Sequence, residues 1–164
     1  MFSVRLGLAL LLFLAGSAVS QIQNEFWQKS VRTPLSGPEA EAKFIKSYKD
    51  SLLPDLIVAY FEGSVISVTG TDSAGRKVLL SISGETGNRE IAEAALLFDG
   101  RDWKLKTEPM KGTRVRFRGV MREFTRQPFL ITFEPVQISG LDIETTQRNL
   151  PFEDVVPPSY RRSK

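Results

Sequence analysis

An alternation of apolar and cationic side chains late in the chain limits the possible folds more than any other sequence feature. Val115, Phe117, Gly119 and Met121 fall on one side of this alternation. The other side carries four arginines, Arg114, Arg116, Arg118 and Arg122, together with Val120. Successive strand residues point to opposite faces of a sheet. The pattern therefore predicts a strand opening at Lys111-Gly112, with one buried face and one basic, solvated face.

The residues that follow predict the second strand of a hairpin. Residues 125–128, Thr-Arg-Gln-Pro, have the composition of a turn. Phe129, Ile131 and Phe133 then recur at every second position. Pro135 has no amide proton to donate to a sheet, so it suits an edge or a bulge. We expect this strand to continue beyond Pro135, with Ile131 and Phe133 in the interior.

Two earlier segments predict another hairpin. Residues 56–68 form a long run of β-favouring residues, and Gly63 within it marks a bulge or a sharp bend. A turn at residues 71–75 leads into residues 77–83, which alternate with a period of two. Residues 84–88 have the composition of a loop.

The segment at residues 89–106 allows two interpretations. Its first half is rich in Ala and Glu, which favours a helix by propensity. The run Leu96-Leu97-Phe98 before the turn Asp99-Gly100, with Trp103-Lys104-Leu105 after it, instead favours a strand and a hairpin. We prefer a strand that ends near Phe98.

Residues 1–20 have the pattern of a secretory signal peptide. Arg5 gives a cationic start, residues 6–15 are apolar, and small residues follow up to Ser20. We expect cleavage after Ser20, with cleavage after Ala18 as the alternative. The uncharged stretch is shorter than the roughly 20 apolar residues that a membrane-spanning helix needs. The sequence therefore predicts a secreted or periplasmic protein without a stable membrane anchor.

Between the leader and the strands, we expect an extended arm at residues 21–37 and an amphipathic helix at residues 38–53. The arm carries Phe26 and Trp27, which can pack on the domain. Ser36 or Gly37 can cap the helix, and Pro54 ends it. The helix has one apolar stripe, made of Phe44, Ile45, Tyr48 and Leu52.

The chain has room for one domain. Domains commonly contain about 100–150 residues. This chain has 164 residues with the leader included. We place that domain at residues 55–141. After Leu141 the sequence turns polar and contains three prolines, which predicts a flexible, basic tail at residues 142–164.

Two missing residue types exclude whole classes of chemistry. The chain has no Cys, which excludes disulfides, thiolate nucleophiles and Cys-ligated metals. It has no His, which excludes Ser-His-Asp triads and most zinc and iron sites. Asp99 and Asp102 lack the spacing of a calcium loop. Carboxylate pairs, Lys or Tyr could still do chemistry, so an enzyme stays the third and weakest hypothesis. We expect a non-catalytic protein with no catalytic residues, no metal site and no cofactor.

Four or five short strands, a bend in the first and a tight final hairpin predict a mainly β fold. The best architecture is a small five-stranded, partly open barrel with one N-terminal helix. The motifs EGxV at residues 62–65 and KGxxVxFxG at residues 111–119 support this arrangement. Over residues 56–141 the chain resembles exported bacterial OB-fold domains. Two groups are similar: the tRNA-anticodon-binding-like OB family of secreted bacterial proteins and the small periplasmic bacterial OB-fold family.

The resemblance implies a β-barrel, export and, in most members, no catalysis. OB domains that bind ligands use their second and third strands and the loops after strands one and four, here residues 69–76 and 123–128. The candidate ligand-binding set comes from the strand pattern itself. The four arginines share one face, Arg126 lies in the next turn with Phe124 between, and Arg76 and Lys77 lie at the end of the first of these loops. The set is Arg76, Lys77, Arg114, Arg116, Arg118, Arg122, Phe124 and Arg126.

Two non-catalytic functions remain open at this stage. The first is a protein-interaction module, or one that maintains the cell envelope, with another envelope or secreted protein as its partner. The second is binding of an anionic polymer, either nucleic acid or acidic glycan, along the arginine face. The net charge of +3 is too small by itself to favour the polymer. The arginines can equally form a solvated outer face whose charges pair with Glu123, Glu134 or other acidic residues.

Overall fold

A computed structural model describes residues 23–54, 60–82, 91–149 and 152. The predicted signal peptide at residues 1–20 and the predicted loop at residues 84–88 lie outside this range. Within the described residues, no helix has both the length and the apolar character needed to cross a membrane.

The described part of the chain contains two short helical elements followed by eight strands. These are a π-helix (Trp27–Arg32), α1 (Ala40–Ser47), β1 (Leu52–Leu53), β2 (Phe61–Thr71), β3 (Gly75–Ser81), β4 (Ala94–Phe98), β5 (Trp103–Leu105), β6 (Arg114–Thr125), β7 (Leu130–Ser139) and β8 (Ile143–Thr145).

Five strands form one sheet that curls until its two ends meet. Their order is β2, β3, β4, β7, β6, and β6 pairs again with β2. Neighbours are antiparallel except β4 and β7, which run parallel where Ala94–Leu96 face Ile131–Phe133. The short strand β1 adds to β6 beyond the point where β2 leaves it. The prediction of a mainly β fold with a small, partly open five-stranded barrel is confirmed.

The predicted hairpin at the end of the barrel is also confirmed. β6 and β7 pair from Thr125 opposite Leu130 to Arg116 opposite Ser139. Val115, Phe117, Met121, Ile131 and Phe133 are all fully buried in the core. β4 likewise confirms the strand interpretation of the segment around Phe98.

Two glycines lie where strands approach each other closely: a Cβ would clash at Gly119 and would be tightly crowded at Gly63. A Cβ at Gly119 would lie 2.7 Å from the carbonyl oxygen of Glu134, and a register shift occurs there opposite Pro135. This is the bulge expected at Pro135. A Cβ at Gly63 would lie 3.0 Å from the carbonyl oxygen of Ser81. The irregularity of β2 follows it at residues 65–67.

The predicted extended arm at residues 21–37 is wrong where the structure describes it. Residues 23–26 form a helical turn that continues into the π-helix, and Trp27 is fully buried. Its ring lies 5.1 Å from that of Phe61 and 6.3 Å from that of Phe133, measured between centroids. Trp27, Val31 and Leu35 recur every four residues, which is a helical period that buries one face at the barrel opening. Only the packing of the aromatics on the domain was foreseen.

The predicted helix at residues 38–53 is too long at its C-terminal end. α1 ends at Ser47, and Asp50 has a φ of 64°. The amide of Asp50 then donates to the carbonyl of Met121, and Leu52–Leu53 form β1. Pairing with the open edge of β6 competes with helix continuation, and the sheet hydrogen bonds replace the last helical turn.

Two details of the predicted helix also need correction. The N-cap residue of α1 is Glu39, neither Ser36 nor Gly37, and the Ser36 hydroxyl donates to the carbonyl of Arg32 instead. Ile45 is 67% exposed, whereas Phe44 is buried. The apolar stripe is therefore narrower than predicted. The Tyr48 hydroxyl reaches back to the carbonyl of Ser30, at 2.9 Å, and ties α1 to the π-helix.

The predicted tail boundary at residue 142 and the predicted hairpin after Phe98 are both wrong. β5 pairs with β8, not with β4, and the register places Leu105 opposite Ile143. Trp103 and Leu105 are buried against the core. A strand from the polar C-terminal region is recruited because β5 needs a partner for its backbone groups once its apolar side chains are buried. Residues 153–164 of the predicted tail lie outside the described range.

Replacing Trp27 tests whether the N-terminal segment belongs to the core. Trp27→Ala should lower the free energy of unfolding by about 3–5 kcal/mol, because it opens a cavity at the barrel end. Ile45→Ala, in the neighbouring helix but largely exposed, should change it by less than about 0.5 kcal/mol. Urea unfolding followed by far-UV circular dichroism measures both. Equal effects of the two substitutions would contradict the buried position of Trp27.

Candidate functional site

The arginine strip, defined as Arg114, Arg116, Arg118 and Arg122, lies on the outer face of β6. The alternate residues of the strand point inward and are buried. The strip therefore occupies the solvent side of the barrel, as the sequence pattern predicts. The outward-facing side chains of the neighbouring strands lie next to these arginines.

Glu62 on β2 bridges the first two arginines of the strip and balances one of their two positive charges. It lies directly across from Arg116 in the β2–β6 register. One carboxylate oxygen accepts from Arg114, and the other accepts from Nε of Arg116 at 3.0 Å. Opposite charges at facing positions of antiparallel strands stabilise the pairing.

Two carboxylates hold the far end of the strip. Arg122 donates from Nε to Glu134 at 2.6 Å and from Nη1 to Asp50. Hydrogen bonds to Glu134 and to Asp50 raise the pKa of the Arg122 guanidinium. Arg118 differs, because its Nε donates to the carbonyl of Pro54 at 3.0 Å and no described carboxylate pairs with it.

The two basic residues of β3 belong to different surroundings. Arg76 pairs with Asp72 at 2.8 Å, in the β2–β3 turn. Lys77 pairs with Glu123 of β6 at 2.7 Å, across the outer face of β4 and β7. Its hydrogen bond lowers the pKa of the Glu123 carboxyl, against a smaller raising effect of burial.

Phe124 is predicted on the same face as the arginines, and the structure corrects this. The register between β6 and β7 shifts between Met121 and Glu123. The extra residue reverses the alternation, so Glu123 turns outward and Phe124 packs against Phe44 and Phe129, with centroids 5.4 and 5.6 Å away. Phe124 is therefore part of the barrel closure and lies apart from the basic surface.

The eight predicted ligand-binding residues do not form one site. Arg114, Arg116, Arg118 and Arg122 share the outer face of β6, while Lys77 and Arg76 lie on β3. Phe124 faces the core. Arg126 is half-buried in the β6–β7 turn, and none of the described carboxylates pairs with it. The basic residues are distributed over the barrel, and most of their charge is balanced locally.

Sequence reasoning missed an aromatic contact next to the arginine strip. The guanidinium carbon of Arg116 lies 4.8 Å from the ring centre of Tyr60, and the ring of Phe152 lies 5.0 Å from the same ring. Tyr60 was hidden within an apolar run, and Phe152 lay in the predicted tail. The alternation offered one signal: Phe61 faces inward, so Tyr60 faces outward.

A buried ion pair between distant parts of the chain was also missed. Glu93 is 2% exposed and pairs with Arg32 of the π-helix. The amide of Ile82 donates to the other carboxylate oxygen at 3.3 Å, and the Arg32 guanidinium lies over the ring of Phe129 at 5.4 Å. This cluster fastens the N-terminal segment to the barrel. No sequence signal connects these residues, because sixty positions separate Arg32 and Glu93.

The predicted acidic cluster around Asp99 serves a turn. One oxygen of Asp99 accepts hydrogen bonds from the amides of Arg101, Asp102 and Trp103, at 2.9 to 3.2 Å. Burial by itself would raise the pKa of Asp99, but these amides and the charge of Arg101 bring it below its ordinary value. Among the residues with described positions, no group of three acidic, His or Cys side chains could hold a metal ion.

Comparison with protein-family models, with curated proteins and with solved structures found no match to this chain.

Replacing Lys77 tests the ion pair that crosses β4 and β7. Lys77→Met should raise the pKa of Glu123 towards its ordinary value of 4.5, as measured by NMR titration of its side-chain carboxyl. The native pKa is depressed, so the stabilisation is present above pH 4.5 and is lost as the pH falls through the native pKa. Its size should be below about 1 kcal/mol, since both groups are partly exposed. Lys104→Met, at the exposed residue of β5, should leave the titration unchanged; an equal shift would contradict the assignment.

Proposed function

We propose that this chain is an exported, non-catalytic binding module that recognises another envelope or secreted protein. Its sequence supports export through the signal-like pattern at residues 1–20. The observation that carries the proposal is an unpaired edge on β2, available for addition of a partner strand. The same role would suit a component that maintains the envelope.

The unpaired edge begins where β2 extends beyond its pairing with β6. β2 pairs with β6 only from Phe61 to Ser64, and Val65 then exchanges hydrogen bonds with Thr113 and Gly112. Beyond Val65, the pairings among described residues join β2 only to β3. Residues 66–71 therefore present backbone donors and acceptors on their other side.

The composition of this edge favours strand addition. Ser67, Thr69 and Thr71 are exposed, short and uncharged, and the edge carries no Lys or Pro that would block another strand. In strand addition, the backbone hydrogen bonds supply the affinity and side-chain pockets supply the specificity. A partner that offers an extended segment matches what β2 presents.

The pairing of the arginine strip also supports a protein partner over an anionic polymer. Binding of a polyanion gains free energy when the basic side chains release counterions. Here Glu62 already pairs with Arg114 and Arg116, and Glu134 and Asp50 already pair with Arg122. A polymer would have to displace these carboxylates or lie beside them.

Kinship with exported OB-fold domains is part of this proposal. The supporting features are the five-stranded curled sheet, the single parallel contact between β4 and β7, and the buried positions of Val65, Val115 and Phe117 in the two motifs. The free edge belongs to the β2–β3 hairpin, and OB domains commonly bind ligands near the loop that joins these first two strands.

Site-specific photo-crosslinking tests the free edge. A crosslinking amino acid at Thr69, in the full chain expressed in the cells that produce it, should give a discrete adduct with one protein. The same amino acid at Glu144, which is exposed on β8, should give none. Absence of the Thr69 adduct, or the same adduct from both positions, would overturn strand addition at β2.

The alternative function, binding of an anionic polymer, is favoured by Arg118 and Arg126, which have no described carboxylate partner. If Arg116, Arg118 and Arg122 each contacted a phosphate of single-stranded DNA, binding would weaken about 20-fold between about 50 and 200 mM salt, from a slope of about 0.7 per contact. We expect no such binding to single-stranded DNA or a sulfated glycan by fluorescence anisotropy. Steep salt-dependent binding that disappears in the Arg116→Ala, Arg118→Ala, Arg122→Ala triple variant would establish the alternative.

A further inference from the structure

An aromatic side chain on the outside of the barrel is buried. Tyr60 immediately precedes Phe61, which is fully buried in the core, and Glu62 on the other side of Phe61 pairs with the outward-facing arginines. By alternation Tyr60 belongs to the outer face. Even so, it is only 6% exposed. An outward aromatic with so little contact with water must lie beneath other groups.

Two groups on the outer face pack on the Tyr60 ring. The Arg116 guanidinium lies 4.8 Å from its centre, in the geometry of a cation–π contact. Phe152 lies 5.0 Å away, with the two rings inclined at 58°. Arg116 also donates to Glu62, which holds the guanidinium in place beside the ring. Tyr60 and Arg116 together form what we name the Tyr60–Arg116 platform.

The C-terminal segment is anchored near this platform by a mimic of strand pairing. The side chain of Asn149 donates to the carbonyl of Ile138 and accepts from the amide of Ile138, both at 3.0 Å. Among the described residues, β4 pairs with β7 only at Ile131–Phe133, so at Ile138 the edge of β7 meets the Asn149 side chain and not β4. Asn149 therefore binds backbone groups that another extended chain could bind.

The residues that follow Asn149 define the chemistry of this segment. In the sequence, Phe152 is followed directly by Glu153 and Asp154. The platform offers an aromatic ring beside a guanidinium, and Arg118, which pairs with none of the described carboxylates, lies on the same face of β6. A segment with an aromatic residue followed by carboxylates is complementary to that surface in both shape and charge.

We infer that the Tyr60–Arg116 platform is a peptide-binding site for a partner segment that carries an aromatic residue followed by acidic residues. The chain's own Phe152 occupies the site until a partner displaces it. This inference rests on the proposed protein-binding function, but it concerns a surface separate from the β2 edge. Asn149 keeps the internal occupant close, and partner binding at the platform is in competition with it.

Occupation by a residue of the same chain sets the expected size of this competition. Intramolecular binding commonly has an effective concentration on the order of 1 mM, so a site with a dissociation constant of about 100 µM would be masked about tenfold. Removal of the Phe152 ring should lift this masking without shortening the chain. Binding of an added peptide should then tighten by about tenfold.

The test uses a labelled synthetic peptide with the sequence of residues 148–156, Arg-Asn-Leu-Pro-Phe-Glu-Asp-Val-Val. Its binding to the full chain and to Phe152→Ala is measured by fluorescence anisotropy. We expect saturable binding to Phe152→Ala, about tenfold tighter than to the unmodified chain. Adding Arg116→Gln to the Phe152→Ala variant should abolish it. So should replacing the peptide's Phe with Ala or its two carboxylates with amides.

Matched controls distinguish loss of the binding site from loss of the folded structure. Val136→Ala, on the exposed face of β7, should leave peptide binding unchanged in the Phe152→Ala background. Circular dichroism should show that Arg116→Gln retains the native fold; if it does not, Arg116→Lys, which loses the planar stacking surface, takes its place. Equal peptide affinity with and without the Phe152 ring would overturn internal occupation, and absence of binding to Phe152→Ala would overturn the site.

The two proposals fail in different ways. If the Thr69 adduct were absent while the peptide still bound, strand addition at the β2 edge would be overturned and the platform proposal would stand. If the Thr69 adduct formed while the peptide did not bind, the platform proposal would be overturned and the proposed function would stand. If the added peptide reduced the Thr69 adduct in the Phe152→Ala variant, the two surfaces would not be independent.

Discussion

The fold depends on an aromatic cluster in which four separate elements meet inside the curled sheet. Phe61 of β2 contacts Phe117 of β6 and Phe133 of β7, with centroid separations of 5.7 and 6.2 Å. Trp27 of the π-helix closes the group from the open end of the barrel. Large apolar side chains of this kind contribute most of the burial free energy in a small core without disulfides. The N-terminal segment is therefore a structural part of the barrel.

The register of the strands decides which side chains reach the surface. The bulge between Met121 and Glu123 turns Phe124 inward and brings Glu123 within reach of Lys77. The same sheet places Glu62 opposite Arg116. A basic strip in the sequence thus becomes a surface of mixed charge. The consequence for function is that the backbone edge of β2, and the aromatic platform beside the strip, distinguish this surface more than its positive charge does.

Much of the barrel followed from local pattern. The alternation from Val115 to Met121, the turn before β7 and the Gly-marked bend of β2 each reflect geometry within a few residues, so they can be recognised in one dimension. The predictions were wrong where the local structure is decided by pairing with residues that are distant in the sequence. α1 ends early because β6 offers an edge to Leu52–Leu53, and Ile143–Thr145, in a largely polar region, form a strand because β5 needs a partner. The helical period of Trp27, Val31 and Leu35 was present but was outweighed by neighbouring prolines.

The sequence by itself determined the mainly β class, the inward and outward faces of β6, and the exclusion of Cys- and His-based chemistry, because these depend on side-chain type and a period of two. Tertiary structure alone decided which carboxylate meets each arginine, where Phe124 points, and that Tyr60, Arg116 and Phe152 come together. The physical reason is that each of these contacts joins residues far apart in the chain. Their positions follow from strand order, a single inserted residue and the closure of the sheet, and no local preference specifies any of the three.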